Sequence, residues 1–256
     1  MKIEFRQVTK EFAVRDSDRP FRALDGIDLG VREGEFLTLV GPSGCGKSTL
    51  LDLLTGLTAP TSGEIRIDGV PVEGPGLDRG IVFQQYALFP WRTALGNVEF
   101  GLEAKAVPRK ERSALARRHL DLVGLGGFGD RYPHELSGGM RQRVAIARSL
   151  AFDPDVLLMD EPFAALDAQT RESLQEELLR IWEKTGKTIV FITHGIDEAV
   201  YLGQRVAVMS SRPGRVRQVI DVSFDSREGD LRADPRFGEY RHAIWTLLRE
   251  EVASVA

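Results

Sequence analysis

An α/β fold with a mostly parallel sheet is the class this sequence predicts, and three observations predict it. Short apolar runs of strand length recur, with FLTLV at 36–40, GIVFQ at 80–84, VLLMD at 156–160 and TIVFIT at 188–193. Stretches with helical spacing separate them. A glycine-rich loop, GPSGCGKST at 41–49, lies between FLTLV and the helical STLLDLLTGL, the strand–loop–helix order of a phosphate site.

Along the chain, MKIEFRQV alternates as a half-exposed strand does, and ALDGIDLGV and GEFLTLVG suggest two more. FLTLV is a short apolar run followed by Gly41, which suits a buried strand feeding a loop. After the helix and the turn-rich TAPTSG, GEIRIDGV reads as an edge strand, and GIVFQ as a second buried one. The polar VRDSDRP at 14–20 reads as a surface loop. From 91 to 152 the strand signal fades, and NVEFGLEAKAV, RKERSALARRHLDLVGL and MRQRVAIARSLAF read as a charged helical insertion. Between VLLMD and TIVFIT, ESLQEELLRIWEKTG is helical and ends in glycine. RVAVMS and GRVRQVIDV suggest two further strands. YRHAIWTLLREEVASV has apolar residues at 240, 244, 247, 248 and 252, a helical spacing. The expected organisation is one domain over 1–220 that contains the insertion, followed by a short extension over 221–256.

Bulk properties restrict the function classes. Apolar residues at 42% and charged residues at 28% are ordinary for a globular domain. A net charge of -4 offers no general attraction to nucleic acid or anionic lipid. No apolar run reaches the roughly 18–20 residues of a membrane span, and MKIEFRQVTK lacks the apolar core of a signal peptide. A role at a membrane therefore requires another chain to do the crossing. The single cysteine, Cys45, excludes an internal disulfide framework and suits a reducing compartment.

The loop Gly41, Pro42, Ser43, Gly44, Cys45, Gly46, Lys47, Ser48 and Thr49 matches G-x-x-x-x-G-K-[ST]. Its backbone N–H groups wrap a phosphate chain, and the helix start adds its dipole. Lys47 reaches the β- and γ-phosphates and the Ser48 hydroxyl ligates Mg²⁺. Cys45 has two readings, a thiol made reactive by the helix start or a small residue that fits; no catalytic role is assigned to it.

VLLMDEP puts Asp160 and Glu161 at the end of an apolar strand, where open α/β sheets gather ligands. Such acids also serve as helix caps. Beside an upstream phosphate loop the favoured reading gives Asp160 to Mg²⁺ and makes Glu161 the acceptor of a proton from attacking water. His194 ends TIVFIT and is expected to contact the γ-phosphate. Gln84 ends GIVFQ; as an uncharged amide it can touch Mg²⁺ or the water and withdraw without stranding a charge.

HELSGGMRQR at 134–143 supplies a second anion site, a serine and two glycines at a helix start. LSGGM resembles the signature, usually LSGGQ, of ATP-binding subunits of ABC transporters, and the motif order GPSGCGKST, Gln84, LSGGM, VLLMDEP, ALD at 165–167 and His194 runs along residues 1–220. The resemblance implies the ABC ATPase fold, with a P-loop NTPase core, an N-terminal antiparallel β subdomain and a helical insertion. It also implies head-to-tail pairing of two ATPase subunits, identical or not, with ATP between one chain's phosphate loop and the other's signature. Ser137, Gly138 and Gly139 then serve the partner's nucleotide, and Asp167 lies across the interface. Phe12 matches the aromatic that stacks on adenine, with Phe21 as the competing candidate. Met140 in place of Gln, and Gly195 where Asp is common in importers, remove no phosphate, metal or proton contact.

The same resemblance implies that the segment after Gln84 receives a helix of a membrane permease, with Tyr86, Leu88, Phe89 and Trp91 as an apolar socket. FPW, LSGGM and MSSRPGRV resemble bacterial importers of nitrate, sulfonates and taurine, which work with a periplasmic binding protein and two membrane subunits. That implies a peripheral place on the cytoplasmic face of the bacterial inner membrane and no nucleic-acid partner. The competing class is a soluble ABC ATPase acting on nucleic acid or ribosomes, against which stand the single ATPase domain and the lack of a long heptad run or basic stretch. The C-terminal helix is expected to pack on the core.

Overall fold

The computed structural model describes residues 1–15, 19–225, 227, 229 and 231–253. Part of the expected 14–20 loop, and the side chain of residue 252, lie outside the described residues. In chain order the elements begin β1 (Ile3–Phe12), β2 (Phe21–Val31), β3 (Phe36–Val40), α1 (Lys47–Thr55), β4 (Ser62–Ile67) and β5 (Val70–Pro71). There follow β6 (Arg79–Val82), α2 (Ala94–Ala104), α3 (Arg109–Leu122), α4 (Gly138–Ala151), β7 (Val156–Asp160) and α5 (Ala168–Thr185). The chain ends with β8 (Thr188–Ile192), α6 (Ile196–Leu202), β9 (Arg205–Met209), β10 (Val216–Asp221) and α7 (Pro235–Ala253). They form two compact units, Met1–Gly76 with Val190–Ala256, and Leu77–Ile189.

In the first unit, β1 pairs antiparallel with β2 and with β4, and β5 pairs antiparallel with β4. Ile3 faces both Val31 and Ile67, and Phe5 faces Leu29 and Ile65, so one apolar row crosses three strands. Ile3, Phe5 and Val8 are all buried, although a three-residue step would put Val8 on the far face of a regular strand. The register shifts between Phe5 and Val8, and Gln7 takes a φ of 48°, so a bulge turns Val8 back inward. The expected edge position of GEIRIDGV needs correction, because the sheet order is β2-β1-β4-β5. Arg66 and Ile67 pair with Pro71 and Val70, so a two-residue strand covers the end of β4.

The unit's second set of strands runs β10-β9-β3-β8. β3 and β9 are parallel, β9 and β10 antiparallel. Every residue of β3 is buried, as its nearly unbroken apolar run predicts for a strand covered on both faces. Its one polar side chain is satisfied, since the single hydrogen of Thr38 Oγ1 is shared between the carbonyls of Ala199 and Arg205, each at 3.3 Å. α7 packs on α6 and β9. Ile244 is fully buried on it, while Tyr240, Leu247 and Leu248 are half-buried, which matches the helical spacing.

In the second unit, β6 runs parallel to β7, from Arg79 opposite Val156 to Val82 opposite Met159. α2, α3 and α4 pack on one another, and α4 also meets α5 and β6. Side-chain caps set three helix starts: Thr93 accepts from Gly96 N (3.1 Å), Ser137 from Met140 N (3.3 Å) and Asp167 from Thr170 N (3.0 Å). α5 ends at Gly186, as the sequence predicts, although it starts at Ala168, earlier than ESLQEELL alone suggests.

Candidate functional site

In the first unit the phosphate loop leaves β3 and enters α1. The Lys47 ammonium is folded into it and donates to the carbonyls of Gly41 (2.8 Å) and Pro42 (3.1 Å). Lys47 is buried, whereas Ser48 at the helix start is exposed and Thr49 half-buried. A buried cation needs anionic or strongly polar partners; here it has carbonyl oxygens, positions from which it can turn to a phosphate chain. Cys45 is 1% exposed, and burial pushes its thiol up, against the pull of Lys47 Nζ at 3.8 Å. That favours the small residue that fits over the reactive thiol.

Three other candidate residues, His194, Phe12 and Phe21, belong to the same unit. His194 is exposed, just past β8, where Thr193 N donates to Leu39 O (3.1 Å) and ties the end of β8 to β3. Thr193 Oγ1 also accepts from Gly195 N at 2.9 Å and bonds Glu198, which fixes the turn carrying His194. Phe12 and Phe21 are directly opposite each other in the β1–β2 register, 41% and 39% exposed. Each ring already carries a cation, Lys10 Nζ at 5.2 Å over Phe12 and the Arg212 guanidinium at 5.6 Å over Phe21. Both aromatic candidates therefore stand side by side at one end of the hairpin.

In the second unit Asp160 closes β7, and Glu161 follows it with a φ of 44°. A glutamate in the left-handed region costs about 1 kcal/mol relative to ordinary backbone, a strain characteristic of functional sites. The turn is held by Ala164 N donating to Glu161 O (3.2 Å) and by Arg171, which donates to the carbonyls of Phe163 (3.3 Å) and Leu166 (2.9 Å). The cap reading belongs to Asp167, whose carboxyl the Thr170 backbone N–H lowers below the ordinary range. The next helix, α5, takes Asp167 rather than Asp160 or Glu161 as its N-cap.

The signature start and the ALD turn meet within this unit. A Cβ on Gly138 would lie 3.3 Å from Leu166 Cδ2 and from the Tyr86 hydroxyl, and one on Gly139 only 2.6 Å from Thr170 Cγ2. Glycine is required at 139 by that approach alone. Ser137 is exposed and uses its hydroxyl to cap α4, with the hydroxyl hydrogen still available to a ligand.

β6 stops at Val82, so Gln84 does not end a strand as expected but sits exposed in the following turn. Tyr86 and Ala87 follow with φ of 60° and 46°, and Arg148 of α4 holds their carbonyls at 3.0 and 2.5 Å. The next residues are fastened by Asn97, fully buried on α2, which accepts from Phe89 N (2.8 Å) and donates to the carbonyls of Phe89, Arg92 and Thr93 (3.2, 3.1 and 3.0 Å). Of the four expected socket residues only Trp91 is fully exposed, at 71%; Tyr86, Leu88 and Phe89 are half-buried. Phe89 is 5.5 Å from Trp91 and 4.7 Å from Phe100, a partner that helical spacing did not single out. Arg148, Arg171, Asn97 and Arg212 were missed from sequence because each acts on backbone carbonyls, those of Arg148 and Arg212 far along the chain and those of Arg171 and Asn97 across a turn. Such contacts leave no local pattern.

Comparison with known proteins matches the geometry. The model of the family described as ABC transporter matches residues 24–164. An ABC transporter ATP-binding protein of Methanocaldococcus jannaschii, MJ0412, is 54% identical over 98% of this chain and 93% of its own. The nitrate import ATP-binding protein NrtD of Synechocystis is 50% identical over 91% of this chain and 92% of its own. Among solved structures, the ATP-binding cassette MJ0796, dimeric and bound to ADP and Pi, superposes with a TM-score of 0.75 at 36% identity, covering 87% of this chain and 99% of that one. The chain belongs to the ABC transporter family, in which it is an ATP-binding, ATP-hydrolysing subunit with the ABC ATPase fold.

Proposed function

We propose that this chain energises the uptake of a small anion, such as nitrate, a sulfonate or taurine, through a separate membrane permease. The observation that carries the nucleotide chemistry is Lys47, buried among loop carbonyls at the start of α1. The importer reading is supported by the MSSRPGRV and FPW wording and by similarity to a nitrate import ATP-binding protein.

Lys47 and the loop N–H groups hold the β- and γ-phosphates, with one of Phe12 and Phe21 against adenine. Ser48, Asp160 and Gln84 offer a hydroxyl, a carboxylate and an amide oxygen, a hard donor set that fits Mg²⁺. Mg²⁺ supplies charge neutralisation on the phosphates when bound. Glu161 takes a proton from the attacking water, and His194 donates to the γ-phosphate. Ser137, Gly138 and Gly139 serve the nucleotide of a paired ATPase chain, and Asp167 reports across that pairing. ATP favours the closed pair and hydrolysis releases it; a tenfold preference is worth about 1.4 kcal/mol per site.

Trp91, Phe89 and Phe100 form the surface offered to the permease, with the binding protein acting on the permease from the other side. No helix among the described residues is long and apolar enough to cross a membrane. Similarity to a nitrate import ATP-binding protein supports a peripheral place on the cytoplasmic face of the bacterial inner membrane. Purification of the tagged chain from native membranes in mild detergent tests this. A multi-span permease should accompany it; ribosomal or DNA-associated partners in place of a membrane protein would overturn the importer reading.

A further inference from the structure

The segment from 210 to 215, part of the MSSRPGRV stretch, grips the phosphate loop. Arg212 Nε donates to Gly44 O at 3.1 Å, and the same guanidinium lies over the Phe21 ring. Gly44 has a φ of 75°, and a Cβ there would come within 2.5 Å of Arg212 Nη2, so the arginine occupies the space any other residue would need. Gly214 closes on the next peptide, since its Cβ would lie 2.0 Å from Cys45 O. Its backbone is fixed in turn by Gly214 N to Ala23 O (2.9 Å) and Asp25 N to Gly214 O (3.0 Å).

The segment has a second anchor behind it. Glu251 of α7 accepts from Ser211 N (2.8 Å), Ser211 Oγ (3.1 Å) and Arg217 Nη1 (2.7 Å). Glu251 thus holds Ser211, and the covalently adjacent Arg212 holds the middle of the phosphate loop.

A phosphate loop binds through N–H groups, so its carbonyls must face elsewhere. A peptide after glycine flips easily, because no Cβ opposes the new conformation. In the trans peptide between Gly44 and Cys45, C=O and N–H point opposite ways. Arg212 holds the carbonyl, while Cys45 N donates to Pro42 O at 3.3 Å on the other side. We infer that Arg212 is a positioning residue for nucleotide binding, fixing the Gly44–Cys45 peptide of the phosphate loop, with Glu251 of α7 anchoring it from behind. The inference rests on the phosphate loop being the ATP site.

The test uses the full chain, titration with a fluorescent ATP analogue, and steady-state ATP hydrolysis. Arg212→Ala should raise Kd and KM roughly threefold to tenfold, with kcat moving by less than about twofold and the melting temperature unchanged. Arg212→Lys, which keeps a donor without the planar fork, should recover part of the loss. Glu251→Gln should shift Kd the same way by less. An unchanged Kd in folded Arg212→Ala overturns the inference, as does a fall in melting temperature with KM unaltered. Were Arg212→Ala unable to fold, a wild-type Kd in both Arg212→Lys and Glu251→Gln would overturn it equally. Lys47→Ala is the control for the underlying reading. If it binds the analogue as wild type does, the phosphate-loop assignment fails; if it loses binding while Arg212→Ala does not, only the positioning role fails.

Discussion

At the scale of single residues, Glu161 and Gly139 carry the sharpest expectations. Glu161 combines a place after β7 with left-handed backbone, and Gln at the same position keeps the backbone and removes only the proton acceptor. Glu161→Gln should slow hydrolysis by about 10²–10⁴-fold while leaving nucleotide affinity intact. A phosphate-release assay beside the analogue titration checks it, and wild-type turnover would remove Glu161 from the chemistry. Gly139 is limited by packing as well as by any phosphate it serves. Its missing Cβ would sit 2.6 Å from Thr170 Cγ2, and threonine is stiff about χ1. Gly139→Ala should cost about 1–3 kcal/mol of stability by overpacking, read from the urea midpoint. Thr170→Ser should recover much of that loss, because it removes the methyl in the way.

At the scale of elements, the docking of α7 on the 210–217 hairpin rests on Glu251, with Arg217 also reaching the Leu247 carbonyl at 3.2 Å. Burial pushes the Glu251 carboxyl up, but the Ser211 and Arg217 hydrogen bonds outweigh it and hold the group below its ordinary value. A carboxylate whose folded pKa is lowered stabilises above its unfolded value, and that contribution is lost as pH falls through the folded one. The stability advantage of wild type over Glu251→Gln should therefore be full at neutral pH. It should shrink only once pH falls below the ordinary carboxylate value of about 4.5. Thermal melts of the two proteins across pH 7 to 3 check this; an advantage that vanishes already near neutrality would contradict the hydrogen-bonded carboxylate.

At the scale of the whole molecule, the roles proposed for Ser137, Gly138, Gly139 and Asp167 require a second ATPase chain to bring its nucleotide to them. Glu161→Gln should therefore elute as a dimer in ATP and return to a monomer in ADP, measured by size-exclusion chromatography with light scattering. Ser137→Arg places a bulky cation at the exposed start of α4 and should abolish the ATP-dependent dimer. A dimer that ignores both nucleotide and Ser137 would mean pairing through some other face.

Much of this protein was legible in its sequence. FLTLV and VLLMD became β3 and β7 because apolar runs broken only by Thr38 and by the terminal Asp160 specify strands covered on both faces. GPSGCGKST fixed where the phosphate loop falls, since its glycines and lysine have one compatible strand–loop–helix setting. Tertiary structure alone decided what holds those parts in place. Arg148 on the Tyr86 and Ala87 carbonyls, Arg171 on the Phe163 and Leu166 carbonyls, and Arg212 on Gly44 link backbone groups to side chains elsewhere in the chain or across a turn. Periodicity reports which face of an element is buried, because burial repeats with the backbone. A single guanidinium meeting a single carbonyl repeats with nothing, so it becomes visible only once the chain is folded.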